Sequence, residues 1–296
     1  MRKDIAFTSG GLTLRGWYYG PPAGAGKAPG IVMSHGFSAV KEQGLAGFAE
    51  AFSAAGFAVV LFDYRHLGAS DGAERGRIVA QEQHDDLRAA IGWLSAQPGV
   101  APDRIGLWGT SYSGGHAMFV GALDPRVKVI VAQAPAIDVA RSLIALAGRA
   151  GFDQYLALLV ADHAARNAGQ RSGRIPVVTP PDQPSVLGSP DSWAWFTSFG
   201  DRAPNWEPTT TLESVARMAE YQPAAFIDLI APKPFLMIAA TGDALIPIAQ
   251  ARAAMARAGE PKQLIEIDCG HYDFYEGRPH FRRACEEATA WFVKHL

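Results

Sequence analysis

The chain has 296 residues, of which 48% are hydrophobic and 19% charged, so it has material for one large core and too little length for two full domains. A net charge of −2 and a pI of about 6.4 exclude the basic face of a nucleic-acid binder and a polybasic membrane anchor. The two cysteines, Cys269 and Cys285, make no disulfide framework. With no apolar segment of a secretory signal and no run of 18 uncharged apolar residues, a cytoplasmic protein is expected.

In chain order, residues 5–8 and 12–19 read as an antiparallel edge pair joined at Gly10-Gly11. The stretch 20–30 reads as an exposed turn. Its Gly26-Lys27 is not a phosphate loop, because Pro21 stands where the first glycine belongs and Ala28 replaces Ser or Thr. Short apolar runs come next at 30–34, 57–62, 104–108, 127–132, 235–240 and 263–267. Helical patterns alternate with them at 42–55, 79–96, 112–123, 247–258 and 281–296. Near-continuous apolar strands separated by helices specify an α/β fold with a mostly parallel central sheet flanked by helices on both faces. One interval, 135–234, breaks the rhythm. Residues 139–167 read as helix, 175–208 as Pro/Ser/Asp-rich irregular chain and 212–219 as a short helix. The interval is too long for a loop in a compact domain. It is expected to form an inserted cap, 138–225, on a core built from 1–137 and 226–296.

In open parallel sheets the ligand sits at the carboxyl ends of the strands, so the residues just after each apolar run matter most. After the run ending at Trp108 comes Gly109-Thr110-Ser111-Tyr112-Ser113-Gly114-Gly115, then a helix. A strand–turn–helix with serine at the apex and small residues two positions either side is a nucleophile elbow. Ser111 is the expected nucleophile, with Ser113, the second register, as the alternative. After Met33 comes Ser34-His35-Gly36-Phe37, where the Phe37 N–H would join the Tyr112 N–H as oxyanion donors. His35 reads as a structural ring holding that loop. After Ala240 comes Thr241-Gly242-Asp243, and after Ile267 comes Asp268-Cys269-Gly270-His271. The order Ser111, Asp243, His271 is that of a sheet hydrolase triad. Serine is a poor nucleophile until a base takes its proton, neutral imidazole does so near neutral pH, and a carboxylate fixes the tautomer. Asp138 is the rival acid. Asp273 reads as a loop former, and Asp63 as half of an ion pair with Arg65.

At these residues the chain resembles the α/β-hydrolase superfamily. The carrying motifs are SHGF at 34–37, FDYRHLGASDG at 62–72, GTSYSGGH at 109–116, TGD at 241–243 and CGHYDF at 269–274. Within it the chain is similar to the dienelactone-hydrolase-like and fungal polyketide hydrolase–transferase branch, through RIPVV at 174–178, TLES at 211–214 and PKP at 232–234. The resemblance implies a serine hydrolase working through an acyl-enzyme on Ser111, Asp243 and His271. It also implies a reaction among ester or thioester cleavage, acyl transfer and C–C hydrolysis. Dienelactone hydrolases proper use cysteine, so Ser111 argues against that activity here.

Residues 193–206 hold five aromatics, among them Trp193, Trp195, Phe196 and Phe199, which are expected to line an apolar substrate pocket; the alternative is that they pack the cap on the core. Tyr155, Leu156 and Leu159 share a helical face and read as packing, and His116 as a buried structural ring. No H-E-x-x-H or C-x-x-C is present, so neither metal nor cofactor is expected. The expected partner is a small-molecule substrate, a medium-sized, mostly apolar ester, with no nucleic acid and no membrane; a homodimer is left open. A carboxylesterase-like hydrolase is the first reading, an acyltransferase or C–C hydrolase with the same triad the second, and a non-catalytic binding protein on this fold the third.

Overall fold

The computed structural model describes residues 2–21, 26–181 and 183–296. The middle of the 20–30 turn, 22–25, lies outside the described residues. An eight-stranded sheet carries the molecule. Its edge pair is β1 (Arg2–Ser9) and β2 (Leu12–Tyr19), antiparallel, with Gly10 and Gly11 both at positive φ in the connecting turn. A two-residue turn with both φ positive matches the twist of the strands it joins.

From β2 inward the strands are those the apolar runs specify. They are β3 (Ala28–Ser34), β4 (Ala58–Phe62), β5 (Val100–Thr110) and β6 (Val127–Gln133). After the insertion come β9 (Phe235–Ala240) and β10 (Lys262–Ile267). The order across the sheet is β1-β2-β4-β3-β5-β6-β9-β10, and the last six are parallel neighbours. β4 and β9 are buried at every residue, which is why they read as unbroken apolar runs. β5 is longer than its apolar run because Val100 pairs with Ala28 across a bulge.

Helices cover both faces. On one lie α1 (Ala46–Ala54) and α8 (Phe281–His295): Phe48 and Phe52 pack on Trp108 of β5, and Phe292 packs on Phe52. On the other lie α2 (Ala80–Ser95), α3 (Tyr112–Leu123) and α7 (Ile248–Arg257), which bury Leu87, Ile91, Met118 and Val120. α1 starts four residues later than its periodicity predicts. The Lys41 backbone N–H and ammonium are both tied to buried Asp63, at 2.8 and 2.7 Å, and Gly44 turns at positive φ. Those ties hold the segment out of the helix.

Between β6 and β9 no described residue joins the main sheet. The insertion opens with α4 (Val139–Asn167), capped by Asp138, whose carboxylate accepts from the Arg141 N–H. The helix breaks once, at Gly148 (φ 71°, ψ 169°). By length and composition alone α4 is long and apolar enough to cross a bilayer, and only 6% of its apolar window is buried. Three short elements in and beside the irregular stretch went unforeseen, two strands and a helix. β7 (Arg174–Pro176) pairs antiparallel with β8 (Thr209–Thr211), three residues each, too short for a periodicity to register. α5 (Pro190–Thr197) and α6 (Leu212–Ala219) complete the insertion, α6 capped by the Thr211 hydroxyl.

β3 sits where the topology switches: β4 lies on one side of it and β5 on the other. That crevice, at the carboxyl ends of the strands, is where an open α/β sheet binds its ligand.

Candidate active site

The turn after β5 puts Ser111 at φ 55° and ψ −123°, a conformation a side chain adopts only when its surroundings impose it. Two hydrogen bonds impose it. Ser111 N–H donates to Gln133 O at 2.9 Å, and Ala136 N–H donates to Ser111 O at 2.9 Å. Position 109 has to be glycine, because a Cβ there would lie 2.0 Å from Ser113 O.

Ser113 stands where the elbow pattern has its second small residue, and its hydroxyl is occupied. It donates to His35 O and accepts from the Tyr64 hydroxyl at 2.8 Å. With its one proton committed and its side chain fully buried, Ser113 is a tie between the elbow and the 35–37 loop. Ser113→Ala is therefore expected to destabilise the fold by about 1–3 kcal/mol in urea unfolding, the cost of leaving buried partners unsatisfied. Its kcat/KM should stay within about tenfold of wild type; loss of activity with unchanged stability would contradict the assignment.

His271 lies in the loop after β10, its side chain 1% exposed, with Nε2 3.1 Å from Ser111 Oγ. Its Nδ1 lies 2.7 Å from Asp243 Oδ2. Asp243 is fixed in turn: its Oδ1 accepts the Leu245 and Ile246 backbone N–H groups, both at 2.8 Å. A carboxylate at Nδ1 keeps the proton on that nitrogen and leaves Nε2 as an acceptor facing the serine hydroxyl. Burial of the ring opposes its charge, but the Asp243 carboxylate outweighs burial, Asp191 adds to it, and the His271 pKa is raised above its ordinary 6.5. If the neutral ring is the working base, kcat/KM must fall as pH drops through that raised pKa. The acid limb of the pH profile is thus expected on the alkaline side of 6.5. A stopped-flow profile with its midpoint below 6.5 would contradict this electrostatic account.

The 35–37 loop closes over the nucleophile. A Cβ on Gly36 would lie 3.0 Å from Ser111 Cβ, so only glycine lets the backbone come this near. His35 is the expected structural ring: Nδ1 faces Gly36 O at 3.0 Å and Nε2 accepts from the Tyr64 N–H at 3.4 Å. The Phe37 and Tyr112 rings meet edge to face at 5.5 Å. Among the described residues no protein acceptor takes the N–H of either Phe37 or Tyr112. Under α3, His116 donates from Nε2 to Gln83 Oε1 at 2.9 Å and accepts at Nδ1 from the Tyr221 hydroxyl at 2.7 Å. It is the expected buried ring. Its neighbour His84 is pushed down to about 3 by burial, so both rings are neutral.

Several expectations need correcting. Asp63 pairs with Lys41 at 2.7 Å; Arg65 instead grips Asp86 at 2.6 Å. Asp138, the rival acid, is spent on the α4 N-terminus and Arg141. Asp273, by contrast, is the expected loop former, accepting the Gly270 N–H at 2.8 Å. The aromatic cluster does not line the cavity at Ser111. Trp195 stacks on Tyr272 (4.9 Å, 26°) and leans on Tyr275, Phe196 stacks on Trp206, and Phe199 meets the Trp195 ring at 5.0 Å. Trp193 packs partly buried against the same core layer. With Ser192 Oγ 3.0 Å from the Tyr272 hydroxyl, this cluster seats α5 on the loop that carries His271.

The cavity at Ser111 is instead a slot of about 60 Å³ with apolar walls, among them Phe37, Tyr112, Val139, Leu143, Leu146 and Val186. Val139, Leu143 and Leu146 sit at helical spacing on α4. That stripe was legible in the sequence, but nothing there said that it faces the nucleophile. Of the three α4 residues read as packing, Leu159 is buried, Leu156 is 39% exposed and Tyr155 lines a second cavity. Among the described residues no group of three metal-ligating side chains occurs.

The comparisons with known proteins agree with the fold. Residues 11–222 match the family model of the X-Pro dipeptidyl-peptidase (S15 family). An Escherichia coli protein from the traX-finO intergenic region is 34% identical, covering 93% of this chain and 94% of that one. The thiohydrolase aneE of Aspergillus aculeatus is 32% identical over 94% of this chain and 86% of its own. The crystal structure of the α/β-hydrolase GrgF from Penicillium superposes with a TM-score of 0.82 at 26% identity, covering 100% of this chain and 99% of that one.

Proposed function

The chain belongs to the X-Pro dipeptidyl-peptidase (S15) family of α/β-hydrolases, and from that premise we propose that it is a serine hydrolase cleaving a carboxylic ester or thioester of a medium-sized, mostly apolar acyl group. The observation that carries this is the run Asp243 Oδ2–His271 Nδ1 at 2.7 Å and His271 Nε2–Ser111 Oγ at 3.1 Å, opening on an apolar slot.

In this reading the acyl carbonyl carbon meets Ser111 Oγ as His271 Nε2 takes the hydroxyl proton. The developing oxyanion is held by the Phe37 and Tyr112 N–H groups, worth about 3–4 kcal/mol per donor. His271 then gives its proton to the leaving alkoxide or thiolate, and the acyl group stays on Ser111. Water, deprotonated by the same nitrogen, releases the acid. Asp243 stays ionised throughout and stabilises the imidazolium.

The slot argues for an acyl rather than a dipeptidyl substrate. The ammonium of a peptide N-terminus needs a carboxylate close by, and among the described residues no acidic side chain lines the slot. The thiohydrolase relative favours including thioesters among the substrates.

The test offers the purified protein matched octanoyl ester and octanoyl thioester, with and without added alcohol, and identifies the products. Free acid as the main product supports hydrolysis. A new ester formed in preference to acid makes the protein an acyltransferase on the same triad, and no acyl cleavage from either substrate rejects the reading.

A further inference from the structure

The slot at Ser111 is too small for the substrate just proposed. Its volume, about 60 Å³, is well below the roughly 300–1,000 Å³ of small-molecule sites. Leu143, Leu146 and Val186, which wall the slot, also wall a second cavity of about 390 Å³. That volume falls within the range of small-molecule binding sites. The two cavities adjoin at these three side chains.

We propose that this second cavity is a distal acyl subsite entered from the slot by a neck between Leu143, Leu146 and Val186, and that the substrate is an extended acyl chain longer than the slot, its remainder lodged along α4. The proposal rests on the hydrolase reading above and names the substrate class of the same site. Three observations converge on it. The distal walls are mainly apolar, with Phe152, Tyr155, Leu158 and Ile175 among them. α4 supplies both rooms and breaks between them: Leu143 and Leu146 lie before Gly148, and Phe152, Tyr155 and Leu158 after it. At about 100° per residue Phe152, Tyr155 and Leu158 would on average face away from Leu143 and Leu146 on a straight helix, yet with the break at Gly148 both sets wall the one cavity. The opposite wall is held to the helix, since the Tyr155 hydroxyl donates to Ser185 O at 3.1 Å and fixes the 183–188 segment across the cavity.

Each methylene buried beyond the neck should add about 0.8 kcal/mol, close to fourfold in kcat/KM. The experiment measures kcat/KM for p-nitrophenyl butyrate and decanoate. Wild type is expected to prefer decanoate by at least about 100-fold, well inside the six-methylene maximum. Ala147→Trp, at an exposed position on the distal cavity wall, and Leu158→Trp, farther along α4, should each cut that ratio at least about tenfold by filling the room. Ala161→Trp, exposed on the same helix outside both cavities, should keep the wild-type ratio. Because each protein is its own reference through butyrate, partial misfolding of one variant does not imitate the effect. Turnover with no gain beyond butyrate, or ratios unchanged in both tryptophan variants, overturns the distal subsite alone. No turnover of any ester overturns the subsite and the hydrolase reading together.

Discussion

Ser111→Ala is expected to lower kcat/KM for any cleaved acyl substrate by about 10⁵- to 10⁶-fold without unfolding the protein. The size comes from how the site is assembled. Ser111 Oγ is the atom His271 Nε2 faces at 3.1 Å, and Ser113, the other serine of the elbow, has its proton on His35 O. Ser113 therefore cannot take over. What remains is the rate provided by the free Phe37 and Tyr112 amides and by substrate binding, a small residue of the whole. The fold should not notice, because the elbow is held by the Ser111 backbone, through Gln133 O and the Ala136 N–H, and alanine keeps both bonds. Circular dichroism and urea unfolding alongside the kinetics separate the two effects.

Asp243→Asn is expected to cost about 10⁴-fold in kcat/KM, again with the fold intact. The two backbone donors from Leu245 and Ile246 hold the side-chain oxygen, so an asparagine would keep its carbonyl there and turn its NH₂ toward His271. An NH₂ facing Nδ1 needs an acceptor, so the ring proton moves to Nε2. That nitrogen then donates where it must accept, and the serine proton has nowhere to go. The raised pKa of His271 should fall as well, because the carboxylate that outweighs burial is gone and burial favours the neutral ring. Titration of the imidazole by NMR in Asp243→Asn reads that fall independently of turnover. A pKa unchanged by the substitution would mean that Asp243 does not set the ring's charge.

The parts of this site that were legible in the sequence are those fixed by strand order. Ser111, Asp243 and His271 each come just after the apolar run of a parallel strand, and the sheet brings the ends of such runs to one edge, so their meeting needed no side-chain detail. Ser113 shows where pattern reading stops. As a departure from glycine it looks like a weakness of the motif, and only the contacts with His35 and Tyr64 show it as a tie. The aromatic residues 193–199 were misplaced for a similar reason. Density of Trp and Phe reports that something is buried, not what it is buried against, and the partners, Tyr272 and Tyr275, lie some 75 residues away in sequence. Asp63 was paired with its near neighbour Arg65, but the loop after β4 turns back, Arg65 reaches α2, and Lys41 closes on Asp63 from the loop after β3. The slot along α4 is lined by a stripe visible at 139, 143 and 146, but periodicity reports only that one helix face is apolar, not that it packs over Ser111.

The most direct test of the central claim is to mix the protein with a fluorophosphonate or a slowly hydrolysed p-nitrophenyl ester, stop at one turnover, and locate the adduct by intact and peptide mass. The account predicts one adduct per chain, on Ser111, absent from Ser111→Ala and strongly slowed in Asp243→Asn. An adduct on Ser113 or any other residue, or continued turnover with Ser111 unmodified, would contradict it.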